Sequence, residues 1–492
     1  MSHPFAGRSW QFIFCLLAGS LSACAQQPSS YSPETQERIR QVENHLTGWV
    51  LINGSTGWTL EERMKFYHVH GLSIAVVKNF RIDYAKGYGW ADSAEHRPVS
   101  PATLFQAGSI SKSLNSVGVL KLAQSGKLDL YADINQYLKS WQFPYDSLAR
   151  GKKISTANLL SHTAGLSVHG FPGYRRGDSI PTLPEVLDGK RPANTEAVRS
   201  QFAPSLKFQY SGGGTTISQL IVQDISGLPY AQYMGKEVLQ PLGMTSSSYE
   251  QPPPARKKEQ LATAYYNDGK EVIGKYHIYP EQAAAGLWTN PTDLSKYIIE
   301  TQQSLEGKSA KVLDQKMTRL RLTPYVDSNA AFGAFILTKG NRKYFNHGGV
   351  DEGFVSIYYG SMEGGDGLVI MANTYSTAIL DEIANSVAAV YGWEGFSMPQ
   401  RRNIVPVGDS ILASYVGNYE MNKDTFHVAK QGDALFIEDK DSHMKIYFIS
   451  DSEGFIYEAE NLMIQFSRDS RGKIDGMNLT RGSNRMRGIK LP

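Results

Sequence analysis

The chain has 492 residues, with 50 Lys plus Arg against 47 Asp plus Glu and a formal charge of +3. That balance excludes the strongly basic face of a dedicated nucleic-acid binder. A content of 41% hydrophobic and 20% charged residues excludes general disorder. The two cysteines, Cys15 and Cys24, both sit at the extreme N-terminus, so the folded body has neither an internal disulfide nor a thiolate zinc cluster. Length predicts about two to four domains.

The first element in the chain is an export signal. Arg8 precedes an apolar stretch over residues 10–18, and small residues follow. The apolar core is too short to span a bilayer. Leu21-Ser22-Ala23-Cys24 resembles the bacterial lipobox. Residues 1–24 are then a signal peptide, Cys24 becomes a lipidated N-terminus, and the polar residues 26–32 tether the protein to the membrane. A rival reading takes Ala23-Cys24-Ala25 as an ordinary cleavage site. The expected location is the cell envelope or periplasm.

Helical spacing of Ile39, Val42 and Leu46 predicts a helix over residues 33–47. Residues 71–78 and 82–90 read as strands joined by a turn at Asn79-Phe80-Arg81. Helical patterns cover 109–123, 218–225 and 230–238, strands return at 332–338, 354–359 and 367–373, and a helix follows at 379–391. The arrangement predicts an α/β (α+β) domain over residues 25–395, with an antiparallel sheet flanked by helices and a helical lobe. Residues 396–409 read as a polar, proline-bracketed linker. Residues 410–492 read as a small all-β barrel, with strands at 415–419, 426–430, 434–438, 445–449, 455–458, 463–467 and 476–480.

Three motifs carry the chemistry. In Phe105-Gln106-Ala107-Gly108-Ser109-Ile110-Ser111-Lys112, a serine at a helix start has a lysine three residues on, on the same face. Serine is a poor nucleophile until a neighbour takes its proton. A lysine takes it as the neutral amine, which burial and nearby positive potential favour. The helix start also stabilises developing negative charge. Two further Ser-x-x-Lys sequences, Ser442 to Lys445 and Ser470 to Lys473, fall around turns of the β region and read as solvated loops. The second motif is Tyr210-Ser211-Gly212-Gly213-Gly214, a candidate proton shuttle beside glycines that allow close approach of a ligand. The third is His347-Gly348-Gly349-Val350, placed between two strands. Its glycines let a substrate lie along a sheet edge, and its histidine is a candidate carboxylate binder or proton relay.

Ser109-x-x-Lys112, Tyr210-Ser211 and His347-Gly348-Gly349, in that order, resemble the serine β-lactamase and penicillin-binding protein superfamily. The nearest likeness is to class C β-lactamases and their D-peptidase and esterase relatives. Leu159-Leu160-Ser161-His162-Thr163-Ala164-Gly165-Leu166, Pro241-Leu242-Gly243-Met244 and Ala284-Ala285-Gly286-Leu287-Trp288 extend it over residues 40–395. The resemblance implies that Ser109 forms an acyl-enzyme, Lys112 helps deprotonate it, and Tyr210 protonates the leaving group. His347 completes the catalytic set. The amides of Ser109 and Val350 would form an oxyanion hole, with Ser211, Gly348 and Gly349 binding substrate.

One departure stands out. Gly212 occupies the third position of a motif that is Tyr-x-Asn in many class C enzymes. An unpaired substrate carbonyl there costs about 1–3 kcal/mol, which disfavours β-lactams and favours esters or amides of D-residues. The expected function is a cell-envelope serine hydrolase acting on an ester, a D-peptide or a related amide. Three alternatives stay open: a β-lactamase proper, a penicillin-interactive binding protein or pseudoenzyme with slow or no turnover, and a scaffold lipoprotein recruiting a partner through its β domain. No cofactor or metal is implied. His162 reads as structural, and His68-x-His70 has no accompanying metalloenzyme motif. The expected partners are a small-molecule or peptide substrate, with cell-wall material as one source, and a membrane reached through the anchor, with no nucleic acid. The C-terminal region resembles the lipocalin-like barrels appended to some members. It is expected to have a filled core and to shape cleft access or an oligomer interface.

Overall fold

Residues 71–78 are apolar at nearly every position, the pattern of a strand covered on both faces. In the computed structural model they form the centre of a seven-stranded antiparallel sheet. The structure describes residues 31–492 apart from 56, 423, 439–442, 458–461 and 483. The expected signal segment, Cys24 and most of the tether therefore lie outside the described residues, as does Ser442.

The strands of the sheet are β1 (Gly71–Lys78), β2 (Arg81–Asp92), β3 (Arg97–Pro98), β4 (Phe335–Lys339), β5 (Arg342–Asp351), β6 (Phe354–Ser361) and β7 (Gly367–Ala372). Their order across the sheet is β3-β2-β1-β7-β6-β5-β4. The two ends of the domain meet at its centre, where Ile74 pairs with Ile370 and Ser73 with Met371. The turn between β1 and β2 uses Asn79 and Phe80, at φ 50° and 61°, which suits the twist of a two-residue hairpin.

The long helices beside the sheet and in the lobe are α1 (Pro33–Asn44), α2 (Ser111–Gln124), α3 (Gly212–Ser226), α4 (Pro291–Leu305) and α5 (Ala378–Val390). On one face, Ile39 and Val42 of α1 and Ile379, Ile383 and Val387 of α5 pack on Leu72, Ile74, Leu368 and Ile370. The opposite face carries the helical lobe, where Val369, Met371, Phe354 and Tyr358 join Leu114, Ile217 and Leu294 in one core. The fold is thus mixed α/β, as the hydrophobic patterning indicates.

Three elements depart from the sequence reading. The His347 motif lies inside the ten-residue strand β5, not between strands; its two glycines masked the strand pattern. Helix α3 begins at Gly212, because Ser211 caps it and offsets the low helix propensity of three glycines. Helix α4 was absent from the sequence reading, although Asn290 caps it with Pro291 in the first turn.

The expected linker is partly ordered. Gln400–Arg402 pairs in parallel with Val50–Ile52, and Asp409–Tyr415 is helical, so Tyr415 ends a helix where a strand was expected. The barrel that follows is closed and antiparallel, with eight strands: β8 (Gly417–Met421), β9 (Asp424–Gln431), β10 (Ala434–Glu438), β11 (His443–Phe448), β12 (Glu453–Ile456), β13 (Leu462–Arg468), β14 (Ile474–Arg481) and β15 (Asn484–Lys490). The last strand escaped the sequence reading because Asn484-Arg485-Met486-Arg487 is mostly exposed. Leu412 and Tyr415 of the preceding helix join Tyr419, Val428, Ile446, Phe466 and Met477 in a packed interior.

The outer wall of the barrel docks through Phe455 and Tyr457 against Trp49, Val50 and Trp58. Trp58 in turn packs on the core that holds α1 and α5. The barrel therefore sits on the side of the sheet opposite the helical lobe.

Candidate active site

Ser109 is presented by a sharp turn. Phe105–Gln106 pairs with Trp288–Thr289, and Ala107 N–H donates to the Leu287 carbonyl. Gly108 then takes a left-handed φ of +51°, open to glycine at little cost. A Cβ there would lie 2.6 Å from Val350 N, so the turn rests on the backbone of β5. Gly349 is equally constrained, since a Cβ would fall 1.9 Å from the Ala107 carbonyl oxygen. Ser356 Oγ donates to that oxygen at 2.9 Å. These contacts bring the Ser109 turn and Val350 N to one place. Val350 itself is 52% exposed.

After a short 3-10 turn at Gly108–Ile110, α2 runs through the lobe with nearly all of its first three turns buried. Its polar residues are satisfied inside: Ser113 Oγ donates to the Gly333 carbonyl at 2.7 Å, and Asn115 Nδ2 to Ser218 Oγ at 2.9 Å. Lys112, 4% exposed, donates from Nζ to Ser109 Oγ at 3.0 Å and to the Ala284 carbonyl at 2.7 Å. The i, i+3 spacing thus becomes a direct contact. Ala284 belongs to a segment held by Gln219, whose side chain bonds the Pro280 carbonyl and the Ala283 amide.

Tyr210 comes from the lobe on the other side. Its ring centroid lies 5.2 Å from Lys112 Nζ, 4.2 Å from the His162 ring and 6.2 Å from the His347 ring. The hydroxyl, amine and phenol separated in sequence therefore converge. Ser211 is a correction. It is buried, and its Oγ accepts from Gly214 N–H at 2.9 Å and donates to the Ser167 carbonyl at 2.8 Å. Its N–H is given to His162 Nδ1 at 3.2 Å. Ser211 caps α3 and offers no free group for a substrate.

His162 is more than the isolated structural histidine its motif suggested. It sits at the end of a short helix (Thr156–Leu160) with φ 57° and braces both the Tyr210 ring and the Ser211 amide. Burial, and then the Lys112 charge and the neighbouring His347 ring, hold it well below the ordinary histidine range, so it is neutral. His70 also has a local role, stacking on Tyr265 at 3.8 Å and bonding the Gly269 carbonyl at 3.0 Å.

His347 faces the same space. Burial, and then the Lys112 charge, push its pKa down to about 4. Its Nδ1–H donates to the Gly348 carbonyl at 2.6 Å, and its Nε2 is buried without a partner. It therefore supplies no fixed positive charge and is not protonated near neutral pH. An unfolded histidine binds its proton near pH 6.5, so folding stability falls as pH drops from 7 towards 4. Between pH 7 and pH 5 the loss at this residue is about 2 kcal/mol. Urea unfolding at the two pH values should show wild type losing about that much more than His347→Gln.

The edge of β5 is partly open. Strand β4 pairs only with residues 342–346, which leaves 347–351 uncovered on that side. A backbone edge beside a nucleophile can hold an extended substrate. Gly212 lies across the site, where a Cβ would meet the Phe171 ring at 3.0 Å and the His169 carbonyl at 3.1 Å. An aromatic ring thus crowds the position where many class C enzymes carry an amide. Among the described residues, no group of three or more His, Cys, Asp or Glu is placed to hold a metal ion.

A family model described as Beta-lactamase matches residues 59–390, well over half of the chain. The chain belongs to the β-lactamase family. Serine hydrolases and penicillin-interacting proteins share this fold. Among curated relatives, this β-lactamase-family chain is 24% identical over 326 residues to Protein flp of Staphylococcus aureus, covering 64% of this chain and 62% of that protein. It is 26% identical over 314 residues to the putative penicillin-binding protein PbpX of Bacillus subtilis, covering 63% and 73%. An octameric penicillin-binding protein homologue from Pyrococcus abyssi superposes with a TM-score of 0.59 at 20% identity, over 87% of this chain and 98% of that one. SurE, solved with D-Leu, gives 0.54 at 19% identity, over 93% and 99%. At these identities the structural likeness establishes the fold alone.

Proposed function

We propose that this protein is a serine hydrolase of the bacterial cell envelope, anchored through Cys24, that cleaves an ester or an amide of a D-residue through an acyl-enzyme at Ser109. The observation that carries the proposal is the 3.0 Å contact between Lys112 Nζ and Ser109 Oγ, with the Tyr210 ring beside the same nitrogen. In the neutral form, Lys112 accepts the hydroxyl proton as Oγ bonds to the substrate carbonyl carbon. The Ser109 and Val350 amides receive the oxyanion. Tyr210 gives its proton to the leaving group as that bond breaks, and is reprotonated through Lys112. Water then adds to the acyl carbon, its proton passes to the same pair, and the acid departs as Oγ recovers a proton.

Two features support an uncharged leaving group and an apolar acyl group. His347 is neutral and offers no cation to a substrate carboxylate. Phe171 stands beside Gly212, where a polar side chain has no room. The D-Leu bound by SurE and the penicillin-binding relatives support a D-configured substrate.

Purified protein should be assayed with short-chain p-nitrophenyl esters, D- and L-leucine p-nitroanilides and nitrocefin, beside Ser109→Ala. Steady ester or D-residue turnover is expected, falling by about 10⁴-fold or more in the variant, with nitrocefin turned over slowest. Turnover surviving in Ser109→Ala refutes the proposal. The second reading, a penicillin-interactive binding protein, is favoured by the names of the relatives. It predicts one burst equivalent to the protein and no turnover.

A further inference from the structure

Asp351, the last residue of β5, has no place in the mechanism above. It is 4% exposed, and its Oδ2 is buried without a hydrogen-bond partner. The Gly108 turn rests on the backbone of Val350, where a Cβ on Gly108 would lie 2.6 Å from Val350 N, and the Gly108 amide is among the groups that act on the Asp351 carboxyl. Gly108 immediately precedes the nucleophile, and Val350 immediately precedes Asp351. The carboxyl therefore joins the two backbone segments that meet at the proposed oxyanion site. A buried carboxyl left half unsatisfied is costly, and such costs concentrate at functional sites.

We propose that Asp351 is a positioning residue for acyl transfer: its buried carboxyl holds the Gly108 amide and so fixes the turn that aims Ser109 beside Val350. The inference rests on the serine acyl-transfer reading.

The surroundings decide which form of the carboxyl serves. The ionisable groups acting on it are Lys112 from α2, Glu281 from the loop before Ala284, Tyr279 from the same loop, and its neighbour Glu352. Burial holds Asp351 well above the usual carboxylate range, and Glu281 and Glu352 add to the effect, against the Lys112 charge and the Gly108 amide. Glu281 is itself buried, with neither carboxyl oxygen partnered and a pKa pushed by burial up to about 8. Burial therefore favours the neutral acid of Asp351 over its anion. It can accept from Gly108 N–H through its carbonyl oxygen while placing no negative charge one residue from Val350. Ionisation would set an anion against the developing oxyanion. Asparagine reproduces the neutral acceptor; leucine removes it at similar volume.

A fluorophosphonate tests this without a known substrate. Ser109 Oγ bonds to phosphorus, fluoride leaves, the hydroxyl proton passes to Lys112, and the phosphoryl oxygen carries charge where the oxyanion would lie. Saturating rate and half-saturating concentration should be measured separately for wild type, Asp351→Asn and Asp351→Leu, with circular dichroism to check folding. Asp351→Leu is expected to lose about 30-fold in the saturating rate, less than loss of a whole oxyanion donor, with half-saturation within about 3-fold. Asp351→Asn should stay within about 5-fold of wild type at pH 7.

Equal rates in wild type and Asp351→Leu overturn the inference. So does an Asp351→Asn loss as deep as that of leucine, or an effect confined to half-saturation. If Asp351→Leu does not fold, Asp351→Ala decides, and a saturating rate equal to that of wild type overturns the inference. Failure of the probe to label wild type at Ser109 would instead strike the acyl-transfer reading itself.

Discussion

Lys112→Met is expected to slow acylation of Ser109 by about 10²- to 10⁴-fold, the range a positioned proton acceptor contributes. A serine hydroxyl attacks a carbonyl slowly unless its proton leaves as the new bond forms. Lys112 Nζ is the group 3.0 Å from Ser109 Oγ, and its second contact, to the Ala284 carbonyl, fixes its direction. Methionine keeps the unbranched shape in a buried site but cannot accept the proton. The loss should therefore appear in the rate at saturating fluorophosphonate, while the far-ultraviolet circular dichroism stays native. Labelling within about 5-fold of wild type would remove Lys112 from the proton-accepting role.

The largest expected effect on stability lies far from the nucleophile. Arg63 and Glu382 form a bidentate pair, Nε to Oε2 at 2.7 Å and Nη2 to Oε1 at 2.6 Å, with both side chains almost fully buried. Tyr67 OH donates to the same carboxylate at 2.8 Å. The guanidinium also lies 5.2 Å from the Trp58 ring and 5.2 Å from the Tyr457 ring of the barrel segment. The pair thus ties a short helix (Leu60–Phe66), α5 and the barrel to one point.

Glu382→Ala leaves a buried cation without its counter-charge, and the expected loss is about 3–5 kcal/mol in urea unfolding. Replacing both residues, as Arg63→Met with Glu382→Leu, should recover most of that loss, because the penalty belongs to the unpaired charge. A single-variant loss under about 1 kcal/mol would mean that the pair is solvated in solution.

Much of the fold can be read in the residues. The apolar run at 71–78 is the buried strand of a hairpin that turns at Asn79-Phe80, and short alternating segments after residue 410 belong to a barrel. The hidden parts share a physical cause. In β5 and α3, glycines mask the local signal, and the structure comes from neighbours: the Ala107 carbonyl against Gly349 and the Ser211 cap on α3. Strand β15 is hidden because Asn484 to Arg487 are all exposed and show no alternation, and backbone pairing with β14 and β8 defines it.

The site divides in the same way. Ser109 and Lys112 are legible because helix geometry alone brings residues three apart together. Tyr210 and His347 are readable only as ordered motifs, since no local rule places them near Ser109. Ser211 shows the limit of a motif: its hydroxyl is spent on the helix it begins. The support given by His162, the Ala284 carbonyl and Asp351 depends on tertiary contacts alone. Chemistry-bearing residue types outside the motifs, such as an aspartate two places after His347-Gly348-Gly349, were the one signal available.

The central claim is that Ser109 is the nucleophile of this site. Peptide mapping by mass spectrometry after fluorophosphonate treatment tests it most directly. One adduct per chain is expected, on the peptide containing Ser109, and none in Ser109→Ala. An unlabelled wild type, or equal labelling of wild type and Ser109→Ala at another residue, would contradict it.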